Sequence, residues 1–62
     1  MNKEILSDVL ETGETIKITK KSGATITGTV KSIAKGHFLL KCSLGSIAIF
    51  LNSVENVEVI DQ

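Results

Sequence analysis

The chain has 62 residues, with seven lysines balanced by seven acidic residues, so it carries no net charge. A chain of this length can form one domain, and such a domain buries only about 60% of the surface that its unfolded form exposes. Cys42 is the only cysteine and His37 the only histidine, which excludes an internal disulfide framework and argues against a metal cluster. We expect no metal or cofactor, and self-association is the remaining common way to stabilise so small a domain.

The charges are unevenly distributed along the chain. Positions 15 to 54 hold no Asp or Glu. The lysines in this range are Lys17, Lys20, Lys21, Lys31, Lys35 and Lys41. This pattern is typical of a cationic surface that binds a polyanion, and also of an ordinary lysine-rich sheet surface in water, and charge alone leaves both interpretations open.

The N-terminal segment contains charged residues and no long apolar run. It predicts neither a signal peptide nor a membrane span, and it favours a cytoplasmic protein. Trp and Tyr are absent and there are two Phe, so aromatic platforms for stacking bases are few.

The chain begins with a predicted amphipathic helix at about residues 3 to 11. Its apolar residues recur at helical spacing: Ile5, Leu6, Val9 and Leu10. Gly13 favours a helix end there, because glycine readily adopts the left-handed conformation. From about residue 15 to 20, Ile16 and Ile18 alternate with polar residues, which predicts a half-buried strand.

The second predicted strand, at about residues 24 to 34, has a glycine in its interior. Strand interiors normally avoid this residue, so Gly28 indicates a sharp bend or a close approach of two backbones. Ile33 falls out of the apolar alternation, which predicts a bulge near Lys31 and Ser32.

The third and fourth strands are predicted at about residues 37 to 42 and 46 to 51. The run from Ile47 to Leu51 contains no polar residue. An antiparallel strand with one face in water normally alternates, so this run predicts that both of its faces are covered. A second subunit is the natural source of that cover.

A turn at Asn52 and Ser53 leads to the last predicted strand, at about residues 56 to 60, where Val57 and Val59 alternate with polar residues. The order of elements predicts a single mainly β domain over residues 1 to 62. We expect a small barrel of five strongly bent antiparallel strands with a short N-terminal helix.

This pattern resembles the Sm-like superfamily, and within it the Hfq family of bacterial RNA chaperones, over Ile5 to Val59. The matching segments are Ser22-Gly23, Ile26-Thr27-Gly28-Thr29-Val30, Phe38-Leu39-Leu40, Ile49-Phe50 and Asn52-Ser53-Val54. The resemblance implies an Sm-like barrel, a homo-oligomeric ring of six or seven subunits such as a hexamer, and RNA binding around the pore and on the two faces. Subunits of such rings join edge to edge through the fourth and fifth strands. The implied interface residues are Ile47, Ile49, Phe50, Leu51, Val57 and Val59.

Four features of the Hfq pattern are absent from this sequence. The aromatic-Asp pair of the family aligns with Ile33-Ala34, and its stacking aromatic aligns with Gly36. Its Tyr-Lys-His segment aligns with Phe50-Leu51-Asn52, and the predicted helix holds no counterpart of its uridine-contacting Gln. The resemblance therefore implies the ring more directly than it implies recognition of uridine-rich RNA.

The residues predicted to bind single-stranded RNA are Lys17, Lys31, His37, Lys41 and Asn52. The three lysines occupy outward strand positions, and a ring would repeat them into a cationic band that displaces counterions from phosphates. His37 is either a base-stacking residue or a solvated strand residue. Asn52 either binds a ligand through its amide or caps the turn. Cys42 is in phase with buried positions, which predicts an apolar role.

No catalytic constellation is recognisable, because every acidic residue lies outside positions 15 to 54, whereas His37 lies within them. We expect a non-enzymatic protein with no small-molecule substrate and no membrane partner. The leading interpretation is an Hfq/Sm-like RNA-binding ring that acts in RNA-mediated regulation. The alternative is a structural or assembly β-barrel module that binds no nucleic acid.

Overall fold

The structure is a computed structural model that describes residues 2 to 60. Its elements are α1 (Asn2–Thr12), β1 (Thr15–Lys20), β2 (Thr25–Ala34), β3 (His37–Cys42), β4 (Gly45–Phe50), a 3₁₀ turn (Leu51–Ser53) and β5 (Val54–Ile60). The strands form one antiparallel sheet in the order β4-β3-β2-β1-β5. This arrangement confirms the predicted class of a short helix followed by five bent antiparallel strands.

The helix ends where the sequence indicated. Gly13 has a φ of 76°, and its N–H donates a 2.8 Å hydrogen bond to the carbonyl oxygen of Val9. This bond satisfies a carbonyl that the helix end would otherwise leave without a partner. Leu6 and Val9 are buried, so the apolar face of α1 packs into the core.

The length of β2 requires it to bend. A straight strand of its ten residues would span about 33 Å, whereas the longest dimension of the molecule is 26 Å. The strand pairs with β1 through Thr25 to Thr29 and with β3 through Thr29 to Ala34. The β2–β3 ladder shifts register between Val30 and Ser32. The irregularity predicted near Lys31 is therefore present, and it accompanies the bend.

Gly28 allows β2 and β3 to approach each other closely. A Cβ atom at this position would overlap the backbone carbonyl oxygen of Lys41 and would lie 3.1 Å from the Leu40 side chain. Any residue other than glycine would push the two strands apart. The structure thus confirms the close backbone approach that was one of the two predicted reasons for this glycine.

Backbone hydrogen bonds attach the segments before and after β2 to the 3₁₀ turn. The N–H of Lys21, just before β2, donates to the carbonyl oxygen of Ser53 at 2.9 Å, and the N–H of Leu51 donates to the carbonyl oxygen of Gly36, just after β2, at 2.9 Å. The hydroxyl of Ser53 donates to the carbonyl oxygen of Phe50 at 2.8 Å and shapes the turn. These hydrogen bonds connect the two ends of the bent strand β2 through the 3₁₀ turn.

The core lies inside this curl and is entirely apolar. Its residues are Leu6, Val9, Ile16, Ile18, Val30, Phe38, Leu40, Ile49, Val54 and Val57. Among the residues whose burial the structure describes, no polar or charged residue is buried. Burial of apolar surface therefore stabilises the fold, and the polar chemistry of the described residues lies at the surface.

The C-terminal half differs from the sequence-based expectation in its details. Leu51 starts the 3₁₀ turn instead of ending β4, and β5 runs from Val54, directly after the predicted turn, to Ile60. Within the single chain only one face of β4 is covered, because Ile49 is 2% exposed but Phe50 is 62% exposed. Cys42 is half-buried at the end of β3, where its thiol donates to the carbonyl oxygen of Gly45 at 3.1 Å. Cys42 is therefore less buried than its phase with Phe38 and Leu40 predicted.

Replacing Gly28 with Ala should lower the free energy of unfolding by about 1 to 3 kcal/mol, because the added methyl group forces β2 and β3 apart. Chemical denaturation would measure the change. The control is Thr27→Ala at the exposed neighbouring position, which should cost less than about 1 kcal/mol. Equal stability of Gly28→Ala and the wild type would contradict the close approach.

Replacing Ser53 with Ala should destabilise the fold by about 0.5 to 1.5 kcal/mol, because the hydrogen bond to the Phe50 carbonyl is lost. The same denaturation experiment would measure it. Ser46→Ala, at an exposed position on β4, should change the stability by less than about 0.5 kcal/mol. If Ser46→Ala lowered the free energy of unfolding more than Ser53→Ala, the Ser53 hydroxyl would not be what stabilises the 3₁₀ turn.

Candidate nucleic-acid interface

Side chains of β3 and β4 that point away from the core form a continuous surface. Successive strand residues point to opposite faces, so these residues are separated from the buried Phe38 and Leu40. The ladder places His37 opposite Phe50, Leu39 opposite Ala48 and Lys41 opposite Ser46. We call these six residues the outer β3–β4 face.

An aromatic pair occupies one end of the outer β3–β4 face. The ring centroids of His37 and Phe50 are 6.0 Å apart, and the ring planes are tilted by 59°, within the range of favourable aromatic contacts. His37 is half-buried, whereas Phe50 is 62% exposed. In the single chain the Phe50 ring is therefore open to solvent, as expected for a residue that the sequence assigned to the subunit interface.

Two of the predicted lysines lie at or beside the other end of this face. Lys41 is exposed, and its neighbours across the ladders are Thr29 on β2 and Ser46 on β4. Lys31 is the exposed extra residue of the β2 bulge. Neither Thr29 nor Ser46 is acidic, so no carboxylate at these paired positions offsets the charge of Lys41.

Lys17 has different surroundings. It lies on β1, between Thr27 on β2 and Glu58 on β5, and it is half-buried. Opposite charges at directly paired strand positions attract each other, so Glu58 offsets the charge of Lys17. Lys17 and Lys41 lie on the same face of the sheet, because their partners Thr27 and Thr29 are alternate residues of β2, and Lys17 differs from Lys41 in having an acidic neighbour.

Asn52 lies at the centre of a second surface. It is exposed in the 3₁₀ turn, between Leu51 and Ser53, whose backbones bond to the β2–β3 and β1–β2 turns. We call these three connected turns the turn junction. The Ser53 hydroxyl forms the side-chain bond that shapes the 3₁₀ turn, and the exposed Asn52 amide faces solvent.

The turn junction also carries lysines that were not among the predicted site residues. Lys21 and Lys35 are exposed, and Lys20 is half-buried. The β1–β5 ladder shifts register so that Thr19 pairs with Asn56 and Lys20 with Val54, which leaves Glu55 as the extra residue beside Lys20. The sequence indicated that Lys21 and Lys35 lie in two turns, but the bonds that attach both turns to the 3₁₀ turn join residues far apart in the chain.

The predicted interface residues lie on the two edge strands, β4 and β5, and on the turn between them. Phe50 and Val59 are 62% and 44% exposed, and Ile47 is 36% exposed. Leu51 is half-buried. Ile49 and Val57 belong to the core of the chain itself, so their side chains are already packed within the single chain. The exposed part of the predicted set therefore lies at both edges of the sheet.

The part of the chain from residue 2 to residue 60 contains no helix long and apolar enough to cross a membrane. Within the same range, no group of three or more His, Cys, Asp or Glu residues is placed to hold a metal ion.

The comparisons with known proteins rest on structure. No protein-family model and no curated protein sequence matches the chain. A crystal structure of the pleiotropic translational regulator Hfq superposes with a TM-score of 0.86 and 12% identity, over 94% of this chain and 88% of that chain. An Hfq protein from Anabaena sp. superposes with a TM-score of 0.81 and 14% identity, over 95% of each chain. The chain therefore has the Sm-like fold of the Hfq proteins.

Proposed function

We propose that this chain is an Sm-like RNA-binding protein that assembles into a ring of six or seven copies and acts in RNA-mediated regulation in the cytoplasm. We propose further that its 62 residues form one domain with a binding role and no enzymatic activity. The observation that carries the proposal is the Hfq-like fold together with exposed Lys31 and Lys41. A similar structure belongs to a translational regulator, which supports the regulatory role.

The edge strand β4 supports assembly. Proteins usually protect an unpaired edge strand with charged residues, proline or a bulge, and Gly45–Phe50 contains no charged residue and no proline. The strand at the opposite edge, β5, exposes Val59. Pairing β4 of one copy with β5 of the next is a head-to-tail contact, and such contacts close into a ring when the rotation permits.

Assembly would also concentrate the positive charge. One chain is neutral and exposes Lys31 and Lys41 near the outer β3–β4 face. A ring repeats this pair in every subunit, so an RNA strand would contact many lysines and release many counterions. The His37 ring, half-buried at the end of the same face, is the proposed surface on which a base of single-stranded RNA stacks.

The alternative function is a structural or assembly module that binds no nucleic acid. Two observations favour it: Glu58 offsets the charge of Lys17, and the chain has only two Phe and no other large aromatic residue. Both functions predict an oligomer, and only the first predicts RNA binding.

The wild-type protein should be an oligomer by light scattering, and Phe50→Glu should reduce its mass towards that of one chain. The substitution places a charge at the exposed edge that the ring would bury, and an unpaired buried charge is costly. Phe50 is 62% exposed in the single chain, so the variant should still fold, as circular dichroism would verify.

Leu44→Glu is the matched control for this experiment. Leu44 is 95% exposed in the β3–β4 hairpin and lies outside the proposed seam, so its replacement should leave the mass unchanged. A monomeric wild-type protein would remove the ring from the proposal.

The wild-type protein should bind short A-rich or U-rich single-stranded RNA, and binding should be weaker at 200 mM than at 50 mM salt, because phosphate contacts release counterions. Fluorescence anisotropy would measure the affinities. The double variant Lys31→Glu and Lys41→Glu should lose most of this binding while keeping the wild-type mass.

The two proposed functions differ in these outcomes. If the wild type binds neither RNA at low salt, the RNA-binding function is rejected and the structural module remains. If the double variant loses RNA while its oligomer stays intact, a purely structural role is rejected.

A further inference from the structure

We propose that Glu58, on the edge strand β5, is a specificity-determining residue that keeps RNA phosphates away from Lys17 and confines the RNA strand to Lys31 and Lys41. The inference deepens the proposed RNA-binding function and rests on it for the identity of the polymer. It reverses the role that the sequence predicted for Lys17, because Glu58 lies directly opposite this lysine in the β1–β5 ladder.

Lys17 and Lys41 provide a comparison within the same surface. Each has a threonine of β2 as one ladder partner, and these threonines are alternate residues, so both lysines lie on the face that points away from the core. The other ladder partner of Lys17 is Glu58 on β5, whereas that of Lys41 is Ser46 on β4. The charge of this second partner therefore distinguishes the two lysines.

The distances decide which lysine Glu58 affects. Neighbouring strands lie about 4.8 Å apart, so Glu58 is one strand spacing from Lys17 and three strand spacings, about 14 Å along the sheet, from Lys41. The Debye length is about 10 Å at 0.1 M salt, and exposed charges that are further apart than this are largely screened from each other. Glu58 therefore acts on Lys17 and leaves Lys41 available to a phosphate.

A phosphate placed at Lys17 would lie close to the carboxylate of Glu58. The two negative charges would repel each other and oppose the attraction of the lysine for the phosphate. Lys17 is half-buried and Glu58 is exposed, so an approaching RNA strand meets the carboxylate more readily than the ammonium group. Specific interfaces commonly include such a repulsive element, and here it directs the strand to the lysines that have no acidic ladder partner.

Replacing Glu58 with Gln should strengthen RNA binding, because Lys17 then becomes available to one more phosphate. Each phosphate that is neutralised on a single strand adds about 0.7 to the steepness of log K against log salt. For each subunit that the RNA contacts, Glu58→Gln should therefore steepen this slope by about 0.7 and raise the affinity roughly 5-fold at 0.1 M salt. Fluorescence anisotropy would measure both, and light scattering would verify that each variant keeps the wild-type mass.

Lys17→Gln shows whether the gain comes from Lys17. Alone it should leave the wild-type slope unchanged, and combined with Glu58→Gln it should remove the gain. Glu11→Gln is the matched control, because it removes the same charge from an exposed position on α1 and should retain the wild-type slope. If Lys17→Gln flattens the wild-type slope, if the double variant keeps the gain, or if Glu58→Gln gains no more than Glu11→Gln, the exclusion by Glu58 is overturned while RNA binding itself stands.

A measurement without RNA separates this inference from the proposed function. In a titration with inorganic pyrophosphate followed by NMR, the side-chain signals of Lys41 should shift in the wild type and in Glu58→Gln, whereas those of Lys17 should shift only in Glu58→Gln. This result would support the exclusion even if the wild type bound no RNA, an outcome that would reject the proposed function alone. Equal shifts of the Lys17 signals in the two proteins, or no shift of them in either, would overturn the exclusion.

Discussion

The close approach of β2 and β3 at Gly28 is the constraint on which the remaining structure depends. A side chain there would overlap the Lys41 carbonyl, so the absence of one lets β2 curl across the molecule. Because β2 curls, its two ends reach the same 3₁₀ turn, where Lys21 and Gly36 bond to Ser53 and Leu51. The lack of a side chain at Gly28 thus allows three turns that are far apart in the sequence to meet at the turn junction.

The small core explains why the edges of the sheet matter so much. Every residue that is buried within the described chain is apolar, and a domain of this size gains little stability from its interior alone. Ile49 packs into that core while Phe50, its neighbour on the other face of β4, stays 62% exposed. The uninterrupted apolar run of β4 therefore meets two different environments in the single chain, the core on one face and solvent on the other.

Local sequence patterns predicted the helix and the strands well. The features that they did not predict depend on pairing between residues far apart in the chain. The helix end at Gly13 and the bulge at Lys31 follow from conformational preferences of a few adjacent residues. The pairing of Lys17 with Glu58 and the bond from Lys21 to Ser53 join residues far apart in the chain, and no periodicity encodes them. The sequence analysis assigned Ile49 and Val57 to the subunit interface, whereas the core of the single chain covers their side chains.

The position of the charges suggests how an Sm-like surface can hold RNA with few aromatic residues. The segment where the Hfq pattern has Tyr-Lys-His is Phe50-Leu51-Asn52 in this chain, so the 3₁₀ turn itself carries no cation. The turns bonded to it carry Lys21 and Lys35 instead. Electrostatic binding depends on the number of phosphates neutralised, so the proposed RNA-binding function does not require the cation to lie in the 3₁₀ turn itself. Sequence preference depends on base contacts, and because Phe50 belongs to the proposed seam, the half-buried His37 ring is the aromatic group of the outer β3–β4 face that the proposal assigns to them.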